Sequence, residues 1–363
     1  MSTQDLEGYG FSRIKIVVFG LLFILGYGGL NSIIVLRLGG LLGVGGQILY
    51  LWIGVVSLSL PVAMYVERIH PNSVSRVFYT ISTLWMGVLF FFVCTLSIYE
   101  VVSSFYTVAY GGVSILLVVS VLSIISVMNA IGIDVKAVDV PVGNLEKDVS
   151  IVQLSDIHLG TIRNSAFLRR VVEKAKGLDP DVVLITGDLI DGSARVHEKM
   201  FDEFDRFEAP VYFVTGNHEV YEGIEEVYSK LSDTKIRVLR NDCIDYEDLQ
   251  IIGVEYSENN GHLRERLEEL VIDEAKPSVL MYHSPVGVMA AKRAGIDLQL
   301  AGHTHAGQVF PFNYLVRLVF KHIAGQYDLG GLVLYVSAGT GTWGPYMRLG
   351  SRNEITQISL KRK

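Results

Sequence analysis

Eight residues able to bind metal or move protons fall into five short blocks in the second half of this 363-residue sequence. Asp156 and His158 lie in LSDIHLG, Asp188 in ITGDLIDG, Asn217 and His218 in VTGNHEVY, His283 in VLMYH, and His303 with His305 in LAGHTHAG. Singly, each has an ordinary explanation: an Asp or Asn after a strand is usually a turn former, and a lone His is usually structural. Together they read as a metal site, because every block follows a short apolar run and carries a small neighbour. Carboxylate and imidazole without thiolate suit Mn, Fe or Zn. Seven of the eight, Asp156, His158, Asp188, Asn217, His283, His303 and His305, are too many for one catalytic ion with open positions. They are a natural number for two ions sharing a carboxylate. Such ions, about 3.5–4 Å apart, clamp a phosphoryl oxygen and generate a hydroxide nucleophile near neutral pH.

The elements that must position these blocks alternate. Ser150–Leu154, Asp181–Thr186, Val211–Thr215, Ile251–Val254, Ser278–Tyr282 and Leu298–Ala301 read as buried strands. Ala166–Lys176, Glu198–Phe207 and His262–Val271 read as helices, which predicts an α/β layered domain. Open α/β sheets bind ligands at the carboxyl ends of their strands, where all five blocks lie. Residues 134–147 read as a connector that leads into this domain.

In order and content the five blocks resemble the calcineurin-like metallophosphoesterase signature: Asp-x-His, Gly-Asp, Gly-Asn-His, a lone His and Gly-His-x-His. The resemblance covers roughly Asp148 to Ile358 and implies a four-layer α/β/β/α sandwich over residues 148–363. It also implies roles. Asp156, His158 and His305 would hold a first divalent ion, Asn217, His283 and His303 a second, and Asp188 would bridge them. His218 would be the general acid that protonates the leaving oxygen. The family usually has Asp after that His; Glu219 stands there in this chain and is expected to orient His218, with Asp191 as an outer-shell or turn residue. GHTHAGQ, YVSAGTGTWGP and MRLGSRNEI are similar to a subgroup of small bacterial and archaeal phosphoesterases with an N-terminal membrane anchor. Its members resemble phosphodiesterases and UDP-diacylglucosamine hydrolases. MYHSP replaces the more usual His-Asn-Pro, keeping the ligand and changing its neighbour.

The first 133 residues face a different solvent. They hold nine charged residues, whereas the rest holds 26 basic and 34 acidic ones. Four stretches carry no charge: Ile16–Leu36, Leu38–Val66, Val77–Tyr99 and Val101–Ile133. Each reaches the roughly 20 residues a membrane-crossing helix needs. Four long apolar blocks do not fit a signal peptide. Spans are expected at about 14–36, 42–66, 77–99 and 107–131, making an all-α anchor of four transmembrane helices. The uncharged runs disfavour a transporter. Arg13, Lys15, Arg68, Arg76, Lys136 and Lys147 lie on one face and Arg37 on the other, which places both termini and the catalytic domain in the cytoplasm of a multi-pass cell-membrane protein.

An acidic soluble part has no general attraction for nucleic acid. Cys94 and Cys243 make neither a disulfide framework nor a thiolate site. The expected partners are the bilayer and a phosphoester, favoured as lipid-linked because tethering concentrates an enzyme near such substrates. Phe310–Phe320, FPFNYLVRLVF, reads either as a core element or as an apolar patch that dips into lipid or holds an acyl chain. Arg348 and His322 are candidate substrate contacts. The leading function is a phosphodiesterase or pyrophosphatase on a lipid-linked phosphoester. A cyclic-nucleotide phosphodiesterase or nuclease, and an inactive metal-binding membrane sensor, are the alternatives.

Overall fold

The computed structural model describes residues 13–194, 197–259 and 261–362, and the chain divides into two compact units after Ser123. The first unit is helical. Helices α1 (Arg13–Leu42), α2 (Gln47–Ile69), α3 (Ser73–Ser103) and α4 (Gly111–Ile131) are each long and apolar enough to cross a membrane. Many of their large apolar side chains, such as Leu25, Leu51, Ile81 and Ile98, face outward, as a lipid-facing surface requires. The helices run past the uncharged stretches, so Arg37 and Glu100 lie within α1 and α3, where they form an ion pair at 2.5 Å. Between α2 and α3, Asn72 caps the new helix by accepting from the N–H groups of Val74 and Ser75, while the Ser75 hydroxyl accepts from the Asn72 N–H.

The second unit, Ile124–Lys363, takes in the last two turns of α4 and continues into α/β structure. In chain order it contains β1 (Ile133–Val142), β2 (Val149–Leu154), α5 (Ser165–Lys176), β3 (Val182–Thr186), β4 (Val211–Val214), α6 (Asn217–Glu222), α7 (Ile224–Leu231), β5 (Ile236–Val238), β6 (Asp242–Tyr246), β7 (Leu249–Gly253), α8 (His262–Glu269), β8 (Ser278–Met281), α9 (Val288–Arg293), β9 (Leu298–Ala301), α10 (Phe312–Val319), β10 (Gly325–Asp328), β11 (Val333–Val336) and β12 (Asn353–Arg362). Two mixed six-stranded sheets form, ordered β1-β12-β2-β3-β4-β5 and β10-β11-β9-β8-β7-β6.

Three apolar layers hold the sheets. Between them, Ile151, Leu184 and Val214 of one sheet meet Ile251, Met281 and Leu300 of the other. Outside the first sheet, Leu168, Val171 and Val172 of α5 and Val227 of α7 pack on Val152, Val183 and Phe213. Outside the second, Leu263 and Leu267 of α8 and Ala291 of α9 cover Ile252 and Leu280. Strands buried on both faces read as unbroken apolar runs such as VVLIT, and each fully buried Val, Leu or Ile contributes roughly 1.5–3 kcal/mol. The expected α/β/β/α order is therefore present.

Two expectations change. Residues 134–147 are not a free connector: most of them belong to β1, which pairs in parallel with β12 from Ile133 opposite Asn353 to Val142 opposite Arg362. Pro141 and a largely solvent-facing edge disguise that strand, since an edge tolerates proline and needs little apolar alternation. Glu198–Phe207 is not one α-helix but two 3-10 turns, Glu198–Met200 and Asp202–Arg206, joined through the buried Phe201.

The end of α4 is seated in the α/β unit. Asn353 donates to the carbonyls of Ala130 (2.6 Å) and Gly132 (3.0 Å), Arg163 to Ala130 O (3.2 Å), and Arg170 to Ile131 O (2.9 Å). Lys174 donates to Ile133 O. Three cations thus face the partial negative charge and open carbonyls of a helix C-terminus, the favourable sign.

Candidate metal centre

The carboxyl ends of five parallel strands meet at one edge, and each delivers one sequence block: β2 Asp156 and His158, β3 Asp188, β4 Asn217 and His218, β8 His283, and β9 His303 and His305. The chain bends sharply there. Asp156, His158, Asp188, His303 and His305 all have φ between 49° and 71°, the left-handed region that non-glycine residues rarely occupy. Five such residues at one edge mark a place where the surrounding structure holds strain for function. Gly302 permits a close approach, since a Cβ there would lie 1.9 Å from Ser155 Oγ and 2.1 Å from Asp156 Oδ2.

Three sets of donors converge, each with its ligand atoms within 4.8 Å of one another: Asp156, His158 and His305; His158, Asp188 and His218; and Asp188, His283 and His303. In the first, His158 Nε2 lies 3.0 Å from His305 Nε2, which lies 3.5 Å from Asp156 Oδ1. In the third, His283 Nε2 stands 3.2 Å from each of Asp188 Oδ2, Asn217 Oδ1 and His303 Nδ1. Asp188 Oδ2 also lies 3.8 Å from His158 Nε2, so one carboxylate oxygen faces both sets. Its Oδ1 accepts from the His218 N–H at 2.9 Å.

These contacts ask for cations. Burial holds His158 and His305 well below the usual imidazole range, and burial with the nearby His283 holds His303 down to about 4, so all three keep lone pairs free. Burial opposes charge on Asp188, yet His283, His218 and His158 keep its carboxyl well below the usual range. Burial also opposes charge on His283, but Asp188, Asp156 and the Thr186 carbonyl raise it to about 10. Burial and the Asp188 charge raise Asp156 to about 6 against the pull of His283. The donor set, oxygen and nitrogen with no sulfur, fits divalent metal.

Around these ligands the structure corrects three expectations, those for Glu219, Arg348 and His322. Glu219 does not touch His218. Fully buried, its carboxylate accepts from the backbone N–H groups of Gly216 (2.7 Å), Leu189 (2.8 Å), Asp188 (3.0 Å) and Ile190 (3.2 Å), stapling the Asp188 loop to the Asn217 loop. Burial and Asp188 raise its carboxyl to about 7 against those donors. Asp191 orients His218 through its main chain, with its carbonyl 3.2 Å from His218 Nδ1, while its carboxylate accepts from Ser193. Arg348 is fully buried, with its guanidinium committed to the protein. It donates to the carbonyls of Gly341 (2.6 Å), Ala338 (2.7 Å), Gly339 (3.2 Å) and His305 (3.3 Å), to Asn353 Oδ1 (2.7 Å) and to Ser351 Oγ (3.1 Å). His322 is buried against the Tyr327 ring and is not offered to a phosphate.

Three neighbours were not legible in the motifs. Ser155 donates to Asp156 Oδ2 at 2.6 Å. Tyr256, in the loop after β7, sets its ring 5.8 Å from His283 and 6.0 Å from His303, and Phe320 meets His303 edge-on at 5.2 Å. Tyr256 lies outside every block and carries no sequence signal of its own, and Phe320 stands out only as the end of the apolar Phe310–Phe320 stretch.

Comparison with known proteins agrees with this geometry. A family profile described as calcineurin-like phosphoesterase matches residues 149–307. An uncharacterized metallophosphoesterase of Campylobacter jejuni is 38% identical over 238 residues, 63% of this chain and 64% of that one. A transmembrane protein with metallophosphoesterase domain from Bos taurus is 36% identical over 276 residues, 68% of this chain and 61% of that one. An uncharacterized metallophosphoesterase of Aquifex aeolicus is 32% identical over 232 residues, 60% of this chain and 86% of that one. The chain thus spans less than two thirds of the Campylobacter and bovine relatives.

Proposed function

This chain belongs to the calcineurin-like phosphoesterase family, and we propose that it is a membrane-anchored, dinuclear metal-dependent hydrolase of phosphodiester or pyrophosphate bonds in a lipid-linked substrate. One observation carries the chemistry: two donor clusters from five strand ends share the single oxygen Asp188 Oδ2. Asp156, His158 and His305 would hold one ion, and Asn217, His283 and His303 the other, with Asp188 facing both. Mn, Fe or Zn suits these donors. When bound, the pair supplies Lewis acidity toward the phosphoryl oxygens and lowers the pKa of water.

The protein's own part is to orient and to move a proton. His218 donates from Nδ1 to the Asp191 carbonyl, which turns Nε2 toward the shared cluster. From there it protonates the leaving oxygen as general acid. Tyr256 and Phe320 set rings beside His303, an apolar wall that favours an apolar leaving group. The membrane helices support a lipid-linked substrate by raising the enzyme's local concentration near it. The surplus of Lys and Arg on one loop face supports a cytoplasmic catalytic unit.

The test uses the full chain in a bilayer mimetic, with elemental analysis and a panel of phospholipid and nucleotide phosphoesters. His218→Ala should retain both metals and lose about 10²–10⁴-fold in turnover. Folded protein that stays empty under metal-replete conditions refutes the centre. Turnover of nucleotides alone moves the assignment to a cyclic-nucleotide phosphodiesterase or nuclease. Protease accessibility in intact cells decides the membrane side.

A further inference from the structure

Helix α10, next to the metal ligands, buries none of its residues, and most of its apolar side chains are exposed. Tyr314, Leu315, Leu318 and Val319 repeat at helical spacing, with Leu318 and Val319 exposed by 82% and 76%. Phe310 and Phe312 at its start and Trp343 nearby are also exposed. Trp343 is held there by paired bonds with Gln308: its N–H donates to Gln308 Oε1 (3.0 Å), and its carbonyl accepts from Gln308 Nε2 (2.8 Å). Water is a poor solvent for such a contiguous patch, and it belongs neither to the three apolar layers of the fold nor to the ligand set.

The patch also has a charge that the unit around it lacks. Beyond Ile133 the sequence is acidic by 34 residues to 26, yet no Asp or Glu occurs between Ala306 and Tyr327, where Arg317, exposed on α10, and Lys321, exposed just after it, supply positive charge. A short helix with large apolar side chains, flanking aromatics and basic residues is the composition of an element lying in a lipid headgroup region, and the positive sign matches anionic phospholipid.

Continuity with the end of α4 identifies the occupant. Within the same compact unit, the Arg348 N–H donates to Ser126 O at 2.8 Å, and Asn129 Nδ2 donates to Arg348 O at 3.2 Å. The next residue, Leu349, donates to Gln308 O at 3.0 Å and accepts from the Phe310 N–H at 2.8 Å. Two adjacent residues therefore tie the start of the α10 segment to the last two turns of an apolar spanning helix. Those turns expose Ile124, Ile125, Met128 and Ile131. At its other end α10 leads into Phe320, which touches His303, and a Cβ on Gly307 would lie 2.3 Å from Asn313 Cα, so the helix is packed against the His305 loop.

We propose that α10, with Phe310 and Trp343, docks into the headgroup layer of the membrane that α4 crosses, and so holds the metal centre at the lipid surface. Docking does not require a lipid-linked substrate. The gain in turnover expected from it rests on the function proposed above.

The experiment uses the full chain in vesicles of phosphatidylethanolamine and phosphatidylglycerol. In a Cys94→Ala, Cys243→Ser background, nitroxide labels are placed at Leu318→Cys, at Val319→Cys and, as a solvent control, at Val271→Cys, an exposed apolar position outside the patch. Labels at 318 and 319 should collide more with dissolved oxygen than with a polar nickel complex, and the label at 271 should do the reverse. The proposal is overturned if the α10 labels match the control. It is equally overturned if both reagents are excluded from them, the signature of a protein partner or a second copy.

A Leu318→Glu, Val319→Glu variant gives the functional readout. Turnover of a vesicle-borne phosphodiester should fall by about tenfold or more, because two aliphatic side chains that dock in lipid are replaced by charge. Turnover of a water-soluble nitrophenyl phosphodiester should stay within about twofold. Equal loss on both substrates would make α10 a support of the metal loop and refute docking. Lipid-buried labels with no turnover of any vesicle-borne phosphoester would keep docking and refute the lipid substrate.

Discussion

Replacing Glu219 by Gln isolates what that buried carboxylate does. Oε2 accepts from the N–H groups of Gly216 and Asp188, and Oε1 from those of Leu189 and Ile190. Gln keeps one oxygen and turns the other into an NH₂ that faces two N–H donors. Whichever way the amide flips, two buried N–H groups lose their acceptor. Each costs about 1–3 kcal/mol, so the loss is about 2–6 kcal/mol. For a unit of this size that is a fall of roughly 5–20 °C in Tm. Because the staple joins the loops bearing Asp188 and Asn217, affinity for the second ion should fall with it. Differential scanning fluorimetry and metal titration of the full chain measure both. If Glu219 instead served as the partner of His218, the variant would keep its Tm and its metals and only shift its pH–rate profile. That result would refute the staple.

Other substitutions read the same edge. Arg348→Lys keeps the charge but cannot serve four carbonyls at once. It should cost about 2–4 kcal/mol and loosen the His305 side of the centre, whereas a phosphate contact would raise KM alone. Calorimetry of metal loading in buffers of different ionisation enthalpy should detect proton release that grows as pH falls. Near pH 8 about one proton leaves, because His283 at about 10 is charged in the metal-free protein and must become neutral to bind; below about pH 6 Asp156 adds a second. Release independent of pH would contradict those assignments.

The ligand set was legible because each residue sits in a short block that ends a fully buried strand, and VVLIT or VYFV reads as strand without outside help. The four apolar helices were legible for the same reason in another solvent. What escaped depended on partners remote in sequence. The β1 strand pairs with β12 about 220 residues away, so nothing local in IDVKAVDVPV marks it as a sheet member. Arg348 read as a candidate substrate contact, and only the fold brings it to the carbonyls of Ala338, Gly339 and Gly341. Glu219 follows His218 in the chain, yet α6 turns it to the opposite side, toward Asp188. Adjacent residues on a helix do not share a face, so sequence proximity misassigned its partner.

Metal removal should then unsettle one edge of the protein and leave the rest. Five residues of the centre hold left-handed backbone angles, at about 1–3 kcal/mol each, and His158 and His305 point nitrogens at each other 3.0 Å apart. Bound cations would offset both, since ligand present at about 1,000 times its dissociation constant stabilises by about 4 kcal/mol. Chelation should lower the Tm of the α/β unit by about 8–16 °C. Amide exchange should rise in the loops at 155–160, 187–191, 216–219 and 302–308, while the interior strands β3 and β8 and helices α1–α3 keep their protection, because their burial does not involve the ligands. Re-addition of Mn or Zn should restore the loops. Unchanged exchange there after verified metal removal would mean that the edge is rigid without ions. The strain would then be held by the packed sheets alone, and the coupling between metal and stability would be refuted.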